Sequence, residues 1–279
     1  MPHILLTNDD GYQAPGLLAL RRALSRVGKV TVFAPDHNWS AAGHTKTMHK
    51  PLRVNQVTLP DGTPALTTTG APSDCVGLAL LGLVPEWPDL VVSGINEGAN
   101  VGHDITYSGT VAAAMEAVVS GVPAIAASWE TVPMRRALDL AGEEWSVLPE
   151  EGAAGEVLDF AARFVAHLAE LVLQHGLPEN TLLNVNFPAV KPAEMRGVKV
   201  TRLGRRVYRD VLIERKDPRG RPYYWIGGSP PTGIIEEGTD IGALAERYIS
   251  VTPINMDMTD ERLLEVLPTW GMRLPEDDR

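Results

Sequence analysis

Short, solidly apolar runs alternate along this chain with longer stretches whose apolar residues recur at helical spacing. His3-Ile4-Leu5-Leu6-Thr7 is a first such run, and it stops at the turn cluster Asn8-Asp9-Asp10-Gly11. Pro15 then sits where a helix begins, and Leu17, Leu18, Leu20, Ala23 and Leu24 carry the helical spacing up to Gly28. Lys29 to Ala34 reads as a second buried strand, closed by Pro35-Asp36. Pro88 to Gly94 predicts another strand, running into a polar loop from Ile95 to Ser108. Strong helix formers fill Thr110 to Val119, Gly121 stops them, and Pro123 to Ala127 reads as the next strand. Gly155 to Gln174 predicts a long amphipathic helix and Leu182 to Phe187 a further strand. Strands separated by helices imply an α/β fold with a doubly wound, mainly parallel sheet.

The later part of the chain has a different rhythm. Val207 to Ile226 alternates irregularly around the turn Asp217-Pro218-Arg219-Gly220-Arg221-Pro222, which predicts a protruding β-hairpin. A helix from Asp240 to Arg247 and a strand from Tyr248 to Ile254 follow, and Pro275 to Arg279 reads as a frayed tail. The division expected is a Rossmann-like α/β catalytic core over residues 1–195 and a C-terminal segment over 196–279 that partly packs on it. Tyr223, Tyr224 and Trp225 on the hairpin would be unfavourable as a bare patch, so contact with another subunit is expected; packing on their own domain is the alternative.

Composition narrows the classes. A chain of 279 residues with 44% hydrophobic and 22% charged residues can bury a substantial core. Its single cysteine, Cys75, excludes an internal disulfide framework and points to a reducing compartment. Set behind Asp74 in an apolar run, it reads as a core thiol rather than a nucleophile. No basic leader precedes the first strand, and the best membrane candidate, Val76 to Val92, is broken by Pro85, Glu86, Pro88 and Asp89. A cytoplasmic protein without membrane partner is expected. A net charge of −10 argues against binding to a nucleic-acid duplex. It also means that any anionic substrate requires a local reversal of the field, by a metal ion or a helix N-terminus.

In an open parallel sheet, ligands bind beyond the carboxyl ends of the strands. Three polar loops leave strands in this way: Asn8 to Gly11, Asp36 to Thr47, and Ser93 to Thr110. Asp9 and Asp10 would repel each other by about 4 kcal/mol if held ~4 Å apart at an effective dielectric of about 20. A hard divalent cation such as Mg²⁺ or Mn²⁺ would remove that repulsion, whereas a solvated turn or a helix cap explains the same pair without one. The second loop offers Asn38, Ser40, Gly43, His44, Thr45 and Thr47, and the third Asn96, Asn100, His103 and Asp104. Their neutral oxygens complete a metal site without adding charge, or serve ordinary loop hydrogen bonding. Tyr107-Ser108-Gly109-Thr110 opens the alanine-rich helix, where free N–H groups and hydroxyls suit an anion and capping alike.

Taken together, these motifs resemble a family. Thr7-Asn8-Asp9-Asp10-Gly11-Tyr12-Gln13-Ala14-Pro15-Gly16 is similar to the N-terminal signature of the SurE survival proteins, metal-dependent 5′/3′-nucleotidases. So are Gly70-Ala71-Pro72-Ser73-Asp74-Cys75-Val76, Ser93 to Asn100, Tyr107 to Glu116 and the late run from Thr239 to Pro253. The resemblance covers nearly the whole chain and implies a SurE-type fold with a swapped C-terminal segment. It implies one divalent ion (Mg or Mn) per subunit on Asp9, Asp10, Ser40 and Asn96. Phosphate contact would come from Ser40, Gly43, Asn100, Ser108, Gly109 and Thr110. Expected substrates are nucleoside monophosphates, with short polyphosphate besides, and the expected assembly is a homodimer or homotetramer. One departure stands out, because Ala41-Ala42 follow Ser40 where the family commonly has glycine directly after the serine.

The chemistry expected is hydrolysis assisted by the metal, with Asp9, Asp10 and Asn96 as the catalytic set and Asp9 or Asp10 positioning or deprotonating the water. His44 or His103 is a candidate proton donor to the leaving nucleoside. The Asp-x-Asp of haloacid-dehalogenase-type phosphatases is absent, as are Gly-x-Gly-x-x-Gly and a Walker A lysine. A catalytically silent nucleotide-binding sensor is the alternative from a different class.

Overall fold

The computed structural model describes residues 1–131, 133 and 153–274. In chain order the elements are β1 (His3–Thr7), α1 (Pro15–Leu24), β2 (Lys29–Pro35), β3 (Val54–Thr58), β4 (Pro64–Thr68), α2 (Pro72–Leu78) and β5 (Leu90–Glu97). They continue as α3 (Gly109–Val119), β6 (Ala124–Trp129), α4 (Ala153–His175), β7 (Thr181–Phe187), β8 (Val198–Val200), β9 (Arg206–Lys216) and β10 (Pro222–Gly233). Last come α5 (Asp240–Ala245), β11 (Ile249–Asn255) and α6 (Glu261–Val266).

Among the described residues, nine strands make one sheet in the order β3-β4-β2-β1-β5-β6-β7-β11-β8. β4, β2, β1, β5, β6 and β7 run parallel, as alternating strands and helices require. Helices cover both faces, and β1 shows why its residues are apolar throughout. Ile4 and Leu6 join the core beneath α1 and α4, with Leu17, Leu20, Ala161 and Val165. Leu5 points to the other face, where Cys75, Val111, Ala114 and Met115 of α2 and α3 pack. A strand buried on both sides has no polar side to show. Burial pushes the Cys75 thiol up, so it stays protonated, as a core residue should.

Several elements differ from the sequence expectation. β3 and β4 form an antiparallel pair on the sheet edge that the apolar pattern did not disclose, because β3 buries no side chain fully and exposes Asn55, Gln56 and Thr58. β11 runs antiparallel to β7, a direction that a strand's composition does not encode. The hairpin is longer than Val207 to Ile226 and forms a separate two-stranded sheet. The expected tail from Pro275 to Arg279 lies outside the described residues. No helix among the described residues is long and apolar enough to cross a membrane.

The C-terminal portion leaves apolar groups bare. On the hairpin Trp225 is 63% and Ile226 83% exposed, with Tyr223 and Tyr224 exposed beside them. α6 and the turn after it bury none of their side chains, and Leu264 and Trp270 are open to solvent.

Candidate active site

The carboxyl ends of β1 and β5 lie side by side, with Thr7 opposite Ser93, so the loops that follow them meet. Asn8 closes the first loop by donating from Nδ2 to the Gly11 carbonyl at 3.0 Å. The Trp39 N–H donates to the Asp9 carbonyl at 2.7 Å, and the Gly43 N–H to the Tyr107 carbonyl at 2.9 Å. The middle loop is thereby tied to the other two. It is also anchored from below, because the buried Asp74 carboxylate accepts from the Thr47 N–H (2.9 Å), the Thr47 hydroxyl (2.6 Å) and the Ala71 N–H (2.9 Å). Ala41 takes φ +61°, the left-handed region that costs a side-chain-bearing residue about 1–2 kcal/mol.

Between β5 and β6 the register shifts after Ser93. Gly94 makes the bend possible, since its φ is +133° and a Cβ there would lie 2.3 Å from the Ala127 carbonyl oxygen. Beyond the bend Asn96 donates from Nδ2 to the Gly98 carbonyl at 2.7 Å, which directs its own carbonyl oxygen elsewhere. Asn100 is held by the ends of β6 and β7. Its N–H donates to Asn186 Oδ1, its carbonyl accepts from Asn184 and Asn186, and its Nδ2 donates to Ser128 Oγ.

Asp9, Ser40, Ala41, Asn96, Glu97, Asn100, Asp104, Tyr107 and Ser108 enclose a cavity of about 180 Å³. Asp9 is only 3% exposed and abuts the start of α3. There it accepts from the Thr110 hydroxyl at 2.5 Å and the Thr110 N–H at 3.1 Å. Gly109 is required at this approach, because a Cβ would sit 2.9 Å from the Asp9 side chain. Burial pushes the Asp9 carboxyl up, more than the Thr110 hydrogen bonds draw it down. Asp10 is half-buried, and burial together with the Asp9 charge pushes it up to about 6. It accepts from Asn38 Nδ2 at 3.2 Å through Oδ1, and a hydrogen bond from the Glu97 main chain draws it down in part, while its buried Oδ2 has no hydrogen-bond partner among the described residues.

Of the residues expected from sequence, Asp9, Ser40, Asn96, Asn100 and Ser108 border the cavity, and Asp10 stands next to Asp9 behind its wall. Gly43, Gly109 and Thr110 support it from outside. Thr110 spends its N–H and hydroxyl on Asp9, and Ser108 Oγ caps α3 by accepting from the Val111 N–H. His44 and His103 do not line it; His44 Nε2 lies 3.0 Å from Glu116 Oε2, a contact that holds Glu116 below the usual carboxylate range. Glu97, Asp104 and Tyr107 do line it; Asp104 stood among the candidate donors of the third loop and Tyr107 in the motif that opens α3, whereas Glu97 had no role beyond its place in a motif.

The family model of "Survival protein SurE" matches residues 4–210, a span that contains every residue of this cavity. The chain belongs to the SurE family. Among its relatives is "5'-nucleotidase SurE" of Chloroflexus aggregans, 54% identical over 270 residues, covering 96% of this chain and 98% of that one. The protein of the same description from Herpetosiphon aurantiacus is 49% identical over 267 residues, covering 96% and 97%. The crystal structure of SurE from Aquifex aeolicus superposes with a TM-score of 0.77 at 38% identity, covering 97% of this chain and all of that one. The structural match supports the α/β fold.

The donors suit a hard cation. Burial raises both carboxyls and the Asp9 charge raises Asp10 further, so a cation beside them would relieve both burial and repulsion. Among the described residues no three His, Cys, Asp or Glu side chains cluster so as to hold a metal ion. Ser40 and Asn96 offer neutral oxygens at the same cavity.

Proposed function

We propose that this SurE-family chain hydrolyses nucleoside 5′-monophosphates to nucleoside and phosphate in a metal-dependent reaction, with 3′-monophosphates and short polyphosphate as further substrates. The adjacent carboxylates of buried Asp9, which lines a small cavity, and half-buried Asp10, whose Oδ2 finds no hydrogen-bond partner among the described residues, carry the reading. The names of the relatives support the substrate class.

In this reading Asp9, Asp10, Ser40 and Asn96 hold one Mg²⁺ or Mn²⁺ per subunit. When bound, the ion supplies positive charge against the phosphoryl group and acidifies water. Asp9 or Asp10 orients the attacking water and takes its proton. Asn96 and Asn100 fix the phosphoryl oxygens, Asn100 having its main chain locked by Asn184 and Asn186. Ser40 and Ser108 offer hydroxyls, Gly43 and Gly109 allow close approach of main-chain groups, and Thr110 keeps Asp9 aimed. The start of α3 adds a favourable dipole for an anion.

Release of inorganic phosphate from adenosine monophosphate with Mn²⁺, lost with chelator and regained on adding metal, is the expected result. Nucleotide binding with no phosphate released from 5′- or 3′-monophosphates would replace the enzyme by a sensor. The single, buried cysteine fits a cytoplasmic setting.

Residues 196–279 are proposed as an oligomerisation segment, partly packed on the 1–195 core, that joins a homodimer or homotetramer. Support comes from the bare aromatic hairpin and from α6, whose apolar side chains find no cover within the subunit. Sedimentation at micromolar concentration should show a species of two or four chains; a monomer would contradict the assignment.

A further inference from the structure

The cavity has an electrostatic difficulty. Its wall carries Asp9, Glu97 and Asp104, and among the described residues no lysine or arginine lines it. A cation on Asp9 and Asp10 answers one of these charges, but Asp104 stands in the short turn Gly102–Thr106 that follows Asn100. A free carboxylate there repels an anionic ester. The structure supplies the answer from the other half of the chain.

We propose that Arg206, at the root of the hairpin, is a positioning residue that sets affinity for the anionic substrate by neutralising and holding Asp104 at the cavity wall. This rests on the reading that the cavity takes a phosphate ester. Arg206 Nε donates to Asp104 Oδ2 at 2.5 Å, and the Arg206 side chain is 9% exposed against 18% for Asp104. A pair so shielded is screened far less than a surface ion pair. The Tyr208 hydroxyl donates to Asp104 Oδ1, so both carboxylate oxygens are engaged by β9. Burial, and then the Asp104 contact, push that hydroxyl up to about 12, which keeps its proton in place for donation.

The turn and the hairpin root are also packed directly together. A Cβ on Gly102 would lie 2.7 Å from the Gly204 carbonyl oxygen and 3.1 Å from Arg206 Cγ. Asp240, at the start of α5, joins the same two segments, accepting from the Gly102 N–H at 2.8 Å and the Gly204 N–H at 2.7 Å. Burial raises the Asp240 carboxyl, and the Arg206 charge draws it back in part. Of these two carboxylates near Arg206, Asp104 borders the cavity and Asp240 is satisfied by main-chain N–H groups.

Charge reversal of the defect separates this role from simple bracing. R206Q should raise KM for adenosine monophosphate about tenfold at saturating Mn²⁺ with kcat within about twofold, because it uncovers a ground-state repulsion. D104N/R206Q should return KM to within about threefold of the wild type, since the Asp104 charge at the cavity wall is removed together with its partner. R206K, which keeps the charge and loses the fork, should fall between. An unchanged KM in R206Q overturns the proposal, as does a double variant no better than R206Q. If R206Q does not fold, D104N alone decides: KM at or below the wild-type value supports neutralisation, and about a tenfold rise overturns it. A wild-type protein that releases no phosphate overturns the underlying reading and this one with it. An active wild type with the wrong KM pattern overturns this one alone.

Discussion

Asp9→Asn is expected to lower kcat/KM for nucleotide hydrolysis by about a thousandfold or more while the protein still folds, since a lost metal-ligand charge acts on the transition state directly. Asparagine matches aspartate in shape, and its carbonyl oxygen still accepts from the Thr110 N–H that now donates to Asp9 at 3.1 Å. The Thr110 hydroxyl, now a donor at 2.5 Å, can rotate to accept from the new amide. What disappears is one buried negative charge, which burial already disfavours in the absence of a cation. The fold should thus be unharmed or slightly steadier. Ser40 offers a useful contrast, because it is neutral and exposed at the cavity rim, and its removal touches no buried charge. The measurement is steady-state phosphate release at saturating Mn²⁺, paired with urea unfolding to confirm the fold. Near-normal turnover by Asp9→Asn would remove this residue from the chemistry.

How much of this could be read from sequence depended on how far each residue's partners lie along the chain. Helices α1, α3, α4 and α5 and strands β1, β2, β5, β6 and β7 were legible, because burial on both faces keeps strands such as β1, β5 and β6 largely apolar, a local property. Convergence of the three loops followed from strand direction alone, and the structure brings Asp9, Ser40, Asn96, Asn100 and Ser108 around one cavity. The supports of that cavity were not legible. Asp74 looked like one residue of a motif, yet it anchors Thr47, 27 positions away. Asp240 looked like a helix start, yet it grips Gly102 across 138 positions. Arg206 was an unremarked arginine before the hairpin, and only the fold sets it against Asp104. Asn184 and Asn186 sit in a strand whose apolar character was plain, but the two amides point into the ladder that holds Asn100. β3 stayed hidden because an exposed edge strand lacks the apolar repetition by which buried strands are found.

Removing the metal should make stability fall as pH rises from about 4 to about 6, and supplying Mn²⁺ should reverse that slope. The sign follows from Asp10. Its carboxyl is pushed up to about 6 in the fold against 3.8 ordinarily, so between these values the folded chain holds a proton that the unfolded chain has released. Stability is then full at low pH and declines as pH climbs through the folded value, with the Asp9 shift acting in the same direction. At about 1.4 kcal/mol per unit the Asp10 shift has a ceiling of about 3 kcal/mol, and solvent screening at this half-buried position reduces it to about 1–2 kcal/mol. That corresponds to a loss of about 2–5 °C in Tm for a chain of this size. A cation inverts the logic, because it binds the ionised pair and its contribution grows as the carboxylates deprotonate, reaching about 2.7 kcal/mol at a hundredfold excess over Kd. Other titrating groups contribute equally with and without metal, so the difference between the two Tm curves isolates the pair. Asp10→Asn should flatten the metal-free decline. Parallel curves with Mn²⁺ and with chelator across this window would mean that no cation rests on these carboxylates, and the burial of two adjacent acids would then have to be offset by the Thr110, Asn38 and Glu97 hydrogen bonds alone.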